Sequence, residues 1–155
     1  MAGRIDARLK ELGIDLPAPM APIANYVPYV IAGDLVFISG QLPTIAGKVA
    51  WAGTVGGTVS GEEAAAACRQ SFINLLVHLK TACGGDLDRV VQVVRLGGFI
   101  AAVPGYTQHA VPMNGASNLS VDVFGDAGRH SRTTIGVASL PLDAAVEVEG
   151  LFRIA

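Results

Sequence analysis

Hydrophobic and polar residues recur with two different periods along this chain, and the two periods predict where helices and strands lie. Residues 4–12 place apolar side chains three to four positions apart, which predicts a short helix. Ser60–Glu63 has the pattern of a capping box, and the apolar face behind it predicts a long helix to about Cys83. A further helical segment is predicted over residues 104–125, which end at a glycine.

Strand patterns fill the rest of the chain. Residues 29–41 predict a hairpin, and the β-branched stretch 89–103 predicts a buried central strand. Gly97 and Gly98 within that strand indicate a bulge or a close approach of the backbone. Residues 133–139 and 145–154 predict two final strands, which a short turn with a proline connects.

The order of these elements predicts an α+β fold with a mixed β-sheet and two main helices on one face. The other face of the sheet would be bare, so its apolar residues need cover, and a neighbouring subunit is the natural one. Four prolines over residues 16–28 predict an extended arm. We therefore expect an N-terminal helix and arm over residues 1–25 and one domain over residues 26–155.

Composition favours an oligomer and argues against nucleic acid and membrane as partners. Of the 155 residues, 15% are charged, against a usual value of about 25%, which favours an oligomer with covered surface. The formal net charge is −2, so the basic footprint of a nucleic-acid-binding protein is missing. No apolar run reaches the roughly 20 residues of a membrane span. We expect a cytoplasmic protein with neither nucleic acid nor membrane as its partner.

Motifs for metals and cofactors are absent from the sequence. Cys68 and Cys83 are too far apart on one helix to bridge, and we expect buried free thiols. The three histidines lack HExxH spacing, and the glycines lack a GxGxxG or phosphate-loop pattern. We therefore expect no cofactor and no metal site.

Candidate chemistry gathers near the C-terminus, where Arg132 comes just before one predicted strand and Glu147 lies on the next. If these strands pair through the turn, both side chains can approach one end of the sheet or one subunit seam. An arginine fork is well suited to hold a carboxylate through two parallel hydrogen bonds. Spacing alone also fits an ion pair that only ties two strands together. His130 is open in the same way, as an acid–base residue or as a solvent-exposed cap.

Two stretches carry a resemblance to a known family. They are YVIAGDLVFISGQLP at residues 29–43 and RTTIGVASLPLDAAVEVE at residues 132–149. Together with the long capped helix and the strand VVQVVRLGGFIAAV between them, this pattern resembles the RidA/YjgF family, also called endoribonuclease L-PSP. The resemblance extends over about residues 26–155.

The resemblance implies a chorismate-mutase-like α+β fold, a homotrimer with three clefts between subunits, and hydrolysis of reactive 2-imino or enamine acids to 2-keto acids and ammonia. Carried over by motif, Arg132 would hold the substrate carboxylate and Glu147 would help to place the attacking water. The expected substrate-binding positions are Tyr29, Ser39, Gly98, Phe99, Asn118 and His130.

Departures from the family pattern indicate a subgroup that differs from the typical imine deaminases. Gly128–Ser131 stands where imine-hydrolysing members usually have F-P-A-R, and Thr134 stands where they often have cysteine or serine. Alternatives are therefore a non-catalytic protein of the same fold that binds a small carboxylate such as a 2-keto acid, and, less favoured, an endoribonuclease or a chaperone-like scaffold.

Overall fold

The structure, a computed structural model, describes residues 3–19 and 25–155 of the chain. Three α-helices and seven strands lie in these residues, with single 3-10 turns at Leu87–Arg89, Gly125–Gly128 and Pro141–Asp143. The helices are α1 (Arg4–Glu11), α2 (Gly61–Ala82) and α3 (Ala110–Phe124), and the strands are β1 (Tyr29–Ala32), β2 (Leu35–Gln41), β3 (Thr44–Ile45), β4 (Lys48–Val49), β5 (Val90–Ala101), β6 (Ser131–Val137) and β7 (Val146–Ile154).

Five of the strands form one mixed sheet in the order β1-β2-β7-β5-β6, and β3 and β4 form a separate hairpin. β5 and β6 run parallel, whereas the other neighbours in the sheet are antiparallel. The two strands at the end of the sequence therefore do not pair with each other, because β5 lies between them. The condition under which Arg132 and Glu147 would approach each other, pairing of these strands through the Pro141–Asp143 turn, is therefore not met. A parallel β5–β6 pair needs a long crossover, and α3 provides it.

One face of the sheet is covered by α2 and α3. Along β7, Val146, Val148 and Phe152 are buried, and they alternate with partly exposed residues on the other face. The buried residues join Leu96 on β5 and the apolar side of α2 in one core. The α+β class, the mixed sheet and the two helices on one face are thus confirmed.

α2 begins where the sequence places a capping box. The Ser60 hydroxyl accepts a hydrogen bond from the Glu63 backbone N–H at 3.1 Å, and the Glu63 carboxylate accepts one from the Ser60 N–H at 2.7 Å. These contacts satisfy backbone donors that a helix start leaves without partners. Because local sequence alone determines them, the start of α2 was predictable.

α1 is attached to the domain by a carboxylate that is distant in sequence. Asp88 accepts hydrogen bonds from the backbone N–H groups of Arg4 and Ile5, both at 2.7 Å, at the start of the helix. Ile5 and Leu9 are 2% and 3% exposed and belong to the main core. The extended arm predicted after this helix includes residues 20–24, which lie outside the described residues.

Two local predictions need correction. Helix α3 begins at Ala110, not near residue 104, because Pro104 and Gly105, whose φ is +82°, interrupt the chain before it. Gly97 and Gly98 lie in regular register, and the irregularities of β5 fall earlier, between Val90 and Arg95. The other alternative, a close approach to the backbone, is found, and side chains make it. Glu149 packs on Gly97, and Met113 packs on Gly98.

α2 and α3 cross at a glycine. A methyl group on Gly115 would collide with the backbone carbonyl oxygen of Ala65 on α2. A backbone carbonyl inside a helix cannot move aside as a flexible side chain can, so this contact sets how closely the two helices pack.

Gly115→Ala should therefore destabilise the protein although alanine is the better helix former. We expect a loss of about 1–3 kcal/mol in the free energy of unfolding, measured by denaturant titration. Gly61→Ala is the matched control, because its methyl group would meet its nearest neighbour, the Tyr106 hydroxyl, at an ordinary 3.6 Å. Equal stability of the two variants would contradict this account of the helix crossing.

Candidate functional site

Arg132 is the second residue of β6, at the edge of the sheet, and not ahead of the strand as the sequence suggested. It lies opposite Leu96 on β5. Leu96 is fully buried beneath the helices, and paired residues of neighbouring strands point to the same face. The Arg132 side chain therefore lies on the helical side of the sheet, between edge strand β6 and helix α3.

Two neutral side chains of α3 hold the Arg132 guanidinium. Its Nη1 donates to Oδ1 of Asn114 at 2.8 Å and to Oγ of Ser117 at 3.1 Å. Asn114 and Ser117 are three positions apart and so share one face of the helix. The ion pairs found among the described residues lie elsewhere, and no carboxylate in that part of the chain comes within 4.0 Å of Arg132. The positive charge is thus oriented but not neutralised.

His130 extends this cluster through a chain of hydrogen bonds with a fixed direction. Its Nδ1 lies 2.6 Å from the Gly128 carbonyl oxygen, which can only accept, so Nδ1 carries the proton. Its Nε2 lies 2.9 Å from the Ser117 hydroxyl, which already accepts from Arg132. With a neutral imidazole, Ser117 therefore donates to Nε2. Arg132, Ser117 and His130 form one connected relay.

The turn before β6 is packed tightly enough to fix His130. Ser120 on α3 donates to the Gly128 carbonyl at 2.8 Å, the same oxygen that receives His130 Nδ1–H. A side chain at Gly128 would collide with the backbone of α3 at Ser120. Glycine is therefore required where the chain enters the site.

Cys68 on α2 lies close enough to Arg132 for the positive charge to affect the pKa of its thiol. Burial raises the pKa of the Cys68 thiol to about 12, and the nearby guanidinium lowers it only in part. The thiol is therefore protonated at neutral pH and is not a nucleophile, since reactivity requires the thiolate.

Glu147 lies on the opposite face of the sheet from Arg132. It pairs with Phe99, and its carboxylate packs on the backbone of Gly40 in β2. Burial raises the pKa of Glu147, and the charge of Glu149 two residues away raises it further. Two strand spacings and a three-residue offset along β5 separate it from Arg132, about 10 Å in each direction.

Comparison with known proteins adds what the geometry alone does not give. Residues 6–153 match the family model described as "YjgF/chorismate mutase-like, putative endoribonuclease". Protein TCP17 of Trypanosoma cruzi is 42% identical over 154 residues, which cover 99% of this chain and 96% of that protein.

The chain belongs to the RidA/YjgF family.

Solved structures share this fold. The crystal structure of Atu1372 from Agrobacterium tumefaciens is 44% identical, covers 97% of this chain and 92% of its own, and superposes with a TM-score of 0.91. Escherichia coli TdcF, crystallised with bound serine, shares the fold at 22% identity and a TM-score of 0.64, with 92% of this chain and 97% of its own covered. The family match starts at residue 6, so it includes α1 from its third residue onward.

The residues that RidA/YjgF resemblance suggested for the site fall into three places in one chain. Arg132 and His130 belong to the relay, and Asn118 is exposed on α3 beside Ser117. Gly98 lies on the helical face under Met113, opposite Thr134, whose buried hydroxyl has no partner among the described residues. Phe99 shares the other face with Glu147.

Tyr29 and Ser39 lie in a third place, on edge strand β1 and on its neighbour β2. Tyr29 is the first residue of β1 and packs against the core, and the Ser39 hydroxyl donates to the Val27 carbonyl at 2.8 Å. Four strand spacings, about 19 Å, separate β1 from β6. No single copy of the chain brings Tyr29 to Arg132.

Sequence reasoning missed the two residues that touch the guanidinium, Asn114 and Ser117. A helix that starts at Ala110 puts these positions on one face, beside the strand that follows. The signal was therefore present, but it depended on the correct start of α3. Among the described residues there is no group of three or more potential metal ligands and no helix long and apolar enough to cross a membrane.

The raised pKa of Glu147 predicts a pH dependence of stability. A carboxyl whose pKa is raised on folding favours the folded state while protonated, and this contribution is lost as pH rises through its folded pKa. Glu147→Gln should therefore be more stable than the wild type above that pH and match it below the ordinary glutamate pKa. Thermal unfolding across the acid range measures this.

Glu11→Gln is the control for that series. Glu11 is exposed and forms only a surface pair with Arg8 at 3.0 Å, which contributes little to stability. A stability gap for Glu147→Gln that stays constant with pH would contradict the assignment.

Proposed function

We propose that this protein hydrolyses reactive 2-imino and enamine acids to 2-keto acids and ammonia, at clefts between the subunits of a homotrimer. The observation that carries the proposal is the Arg132 guanidinium, which two neutral oxygen atoms orient while no carboxylate in the described part of the chain neutralises it. A fixed, uncompensated arginine at a sheet edge is suited to an anionic ligand, and a planar carboxylate matches its fork.

The chemistry asks little of the protein. The carbon of a protonated imine is already electrophilic, so water adds to it directly. Loss of the nitrogen as ammonia then gives the 2-keto acid, with one water consumed. Holding the carboxylate so that one face of the imine meets a water is a proximity effect, which can contribute several kcal/mol. Neither a metal ion nor a thiolate is needed for this sequence of steps.

Proton transfer has two candidate routes. Glu147, with its raised pKa, can accept a proton from the attacking water or return one to the leaving nitrogen. The Ser117 hydroxyl and His130 Nε2 offer a second route. The hydrogen bond between them is 2.9 Å long and connects the side of Arg132 to the imidazole, which can take up or release a proton. Tyr29, Ser39, Gly98, Phe99 and Asn118 are proposed to line the remaining walls.

The positions of these groups favour a site between copies of the chain. Arg132 and Tyr29 lie at opposite edges of the sheet, and Glu147 lies on the opposite face from Arg132. Docking of two copies can bring one chain's β6 edge to another chain's β1 edge and bare sheet face. Exposed apolar residues on that face, Val30, Phe37 and Ile135, would be covered by such contacts.

A non-catalytic carboxylate-binding protein is the second candidate. The residues that touch Arg132 are neutral, so its charge can bind a carboxylate. The nearby Cys68 thiol is protonated, so it does not provide a nucleophile. TdcF, with its bound serine, is an example of this fold holding a small molecule that carries a carboxylate. Ribonuclease activity finds less support, because the formal net charge of −2 differs from the basic charge typical of RNA-binding proteins.

Arg132→Ala should lose imine hydrolysis. With 2-imino acids generated in place by an amino-acid oxidase, the rate of 2-keto acid release should fall by about 100-fold or more, because a bidentate charge-assisted contact is removed. Arg132→Lys should recover only part of the rate, since lysine keeps the charge but not the fork.

The same assay separates the candidates. Release by Arg132→Ala at the wild-type rate would overturn the proposed hydrolase. A wild-type protein that releases no keto acid yet binds 2-ketobutyrate through Arg132 would favour the binding protein. RNA cleavage that Arg132→Ala abolishes would favour the ribonuclease.

A further inference from the structure

A cavity of about 370 Å³ lies beside the second half of α2, on the side of the β3–β4 hairpin. Asn74, Val77 and His78 on α2 form one wall, and Pro17 and Ala18, which follow α1, form another. No aspartate, glutamate, lysine or arginine is among the described residues that line it. A cavity of this size and lining is suited to a small uncharged molecule.

Asn74 holds the hairpin side of the cavity to α2. Its Nδ2 donates to the Leu42 carbonyl at 2.9 Å and to the carbonyl and hydroxyl oxygens of Thr44, both at 3.1 Å. Its Oδ1 accepts a hydrogen bond from Gln70 at 3.2 Å. Because these contacts use both sides of the amide, Asn74 is part of the frame of the cavity, and the cavity is formed before any ligand binds.

His78 presents an unused polar group to the same cavity. It lies one helical turn after Asn74, on the same side of α2, and is only 9% exposed. Within the described part of the chain no hydrogen bond or charge reaches its ring, and burial lowers its pKa, so the imidazole is neutral at neutral pH. A neutral imidazole has one N–H donor and one acceptor nitrogen. Since polar groups buried this deeply are normally hydrogen-bonded, the ring is available to a molecule in the cavity.

Gln41 gives the cavity a second uncharged polar group. Its Nε2 donates to the Ser39 carbonyl at 2.9 Å, which fixes the orientation of the amide. The amide has a further N–H and a carbonyl oxygen. The cavity therefore offers hydrogen bonds from neutral groups and apolar contacts from the rest of its walls.

This cavity is separate from the Arg132 site. Cys68, whose pKa responds to Arg132, lies ten residues before His78 on α2, or about 15 Å along the helix. Gln41 is on β2, three strand spacings, about 14 Å, from β6. A molecule that contacts His78 and Gln41 therefore leaves Arg132 free.

We propose that this cavity is a second binding site, which takes a small uncharged molecule with an apolar body and a hydroxyl group, and that the His78 imidazole binds the hydroxyl. The hydroxyl can donate to the acceptor nitrogen of the ring or accept from its N–H, and the apolar body then lies against Val77, Pro17 and Ala18. A charged molecule would lose its hydration there without meeting an opposite charge. This site does not depend on the proposed hydrolysis.

The test uses p-cresol as the probe and toluene, which lacks the hydroxyl, as its matched partner. Titration of the wild-type protein is followed by NMR through the imidazole C–H signals, which gives the affinity and the place of binding together. p-Cresol should shift the His78 signals and bind about fivefold or more tightly than toluene, because toluene leaves the buried imidazole without a hydrogen bond.

Three variants locate the site. His78→Leu keeps an apolar side chain of similar size and should reduce the preference for p-cresol to about twofold or less, while toluene affinity stays within about twofold. Ala18→Leu fills the cavity from an exposed position and should weaken both probes by about fivefold or more. Ala50→Leu is its matched control, because Ala50 is exposed beside the hairpin and does not line the cavity. It should bind both probes as the wild type does.

Equal affinity of the wild type for the two probes, or no binding of p-cresol, would overturn the inference. A preference that His78→Leu leaves unchanged would overturn it as well, because the hydroxyl would then bind elsewhere. Arg132→Ala should bind p-cresol as tightly as the wild type, and loss of binding in that variant would contradict a separate site. Imine hydrolysis by Arg132 is judged by its own assay, so failure of this inference leaves the proposed function standing.

Discussion

The charge of Arg132, held at the edge of the sheet by two uncharged partners, is the constraint on which the rest of the site depends. A guanidinium bonded to an amide oxygen and a hydroxyl keeps its full positive charge, whereas a salt bridge would cancel it. Its position requires β6 to be an edge strand and α3 to run beside it, so that Asn114 and Ser117 reach over the strand. Gly128 and the short turn before β6 are part of this arrangement. Because glycine has no side chain, the chain can pass close to the backbone of α3 as it enters β6.

The order of the strands determines where Glu147 lies relative to the charge of Arg132. Because β5 separates β6 from β7, an ion pair between Arg132 and Glu147 within one chain is impossible, and each keeps its own electrostatic environment. The arginine remains available for an anion, and the half-buried carboxyl has a raised pKa. If the two residues act on one substrate, they must come from different copies. The bare face of the sheet, with its apolar residues, is the surface on which copies would meet.

The sequence predicted the elements better than their arrangement. The capping box at Ser60, the hairpin of β1 and β2 and the alternation of β7 are local patterns, and the structure confirms all three. The parallel pairing of β5 with β6 is not local, because it depends on which strand the crossover through α3 returns to. A turn between two predicted strands left a hairpin open, and only that pairing would have brought Arg132 and Glu147 together in one chain.

The site shows the same division. Arg132 was singled out in the sequence because the residues around it form a recognisable pattern, but its contacts depend on the start of α3. Pro104 and Gly105 end the preceding segment, and the helix begins six residues later than expected. That shift decides which helix positions face β6, so Asn114 and Ser117 were not identified as contacts of Arg132. His109 lies just before the helix and not within it.

The central claim is that Arg132 of one copy and Glu147 of another serve one site, and subunit complementation tests it most directly. Arg132→Ala and Glu147→Gln would be prepared separately and co-expressed in equal amounts, with imine hydrolysis measured for all three preparations. In a closed trimer with random assembly, about a quarter of the shared sites combine an intact Arg132 with an intact Glu147. The account predicts that the co-expressed protein regains about that fraction of the wild-type activity. Activity no higher than that of the two separate variants would contradict it.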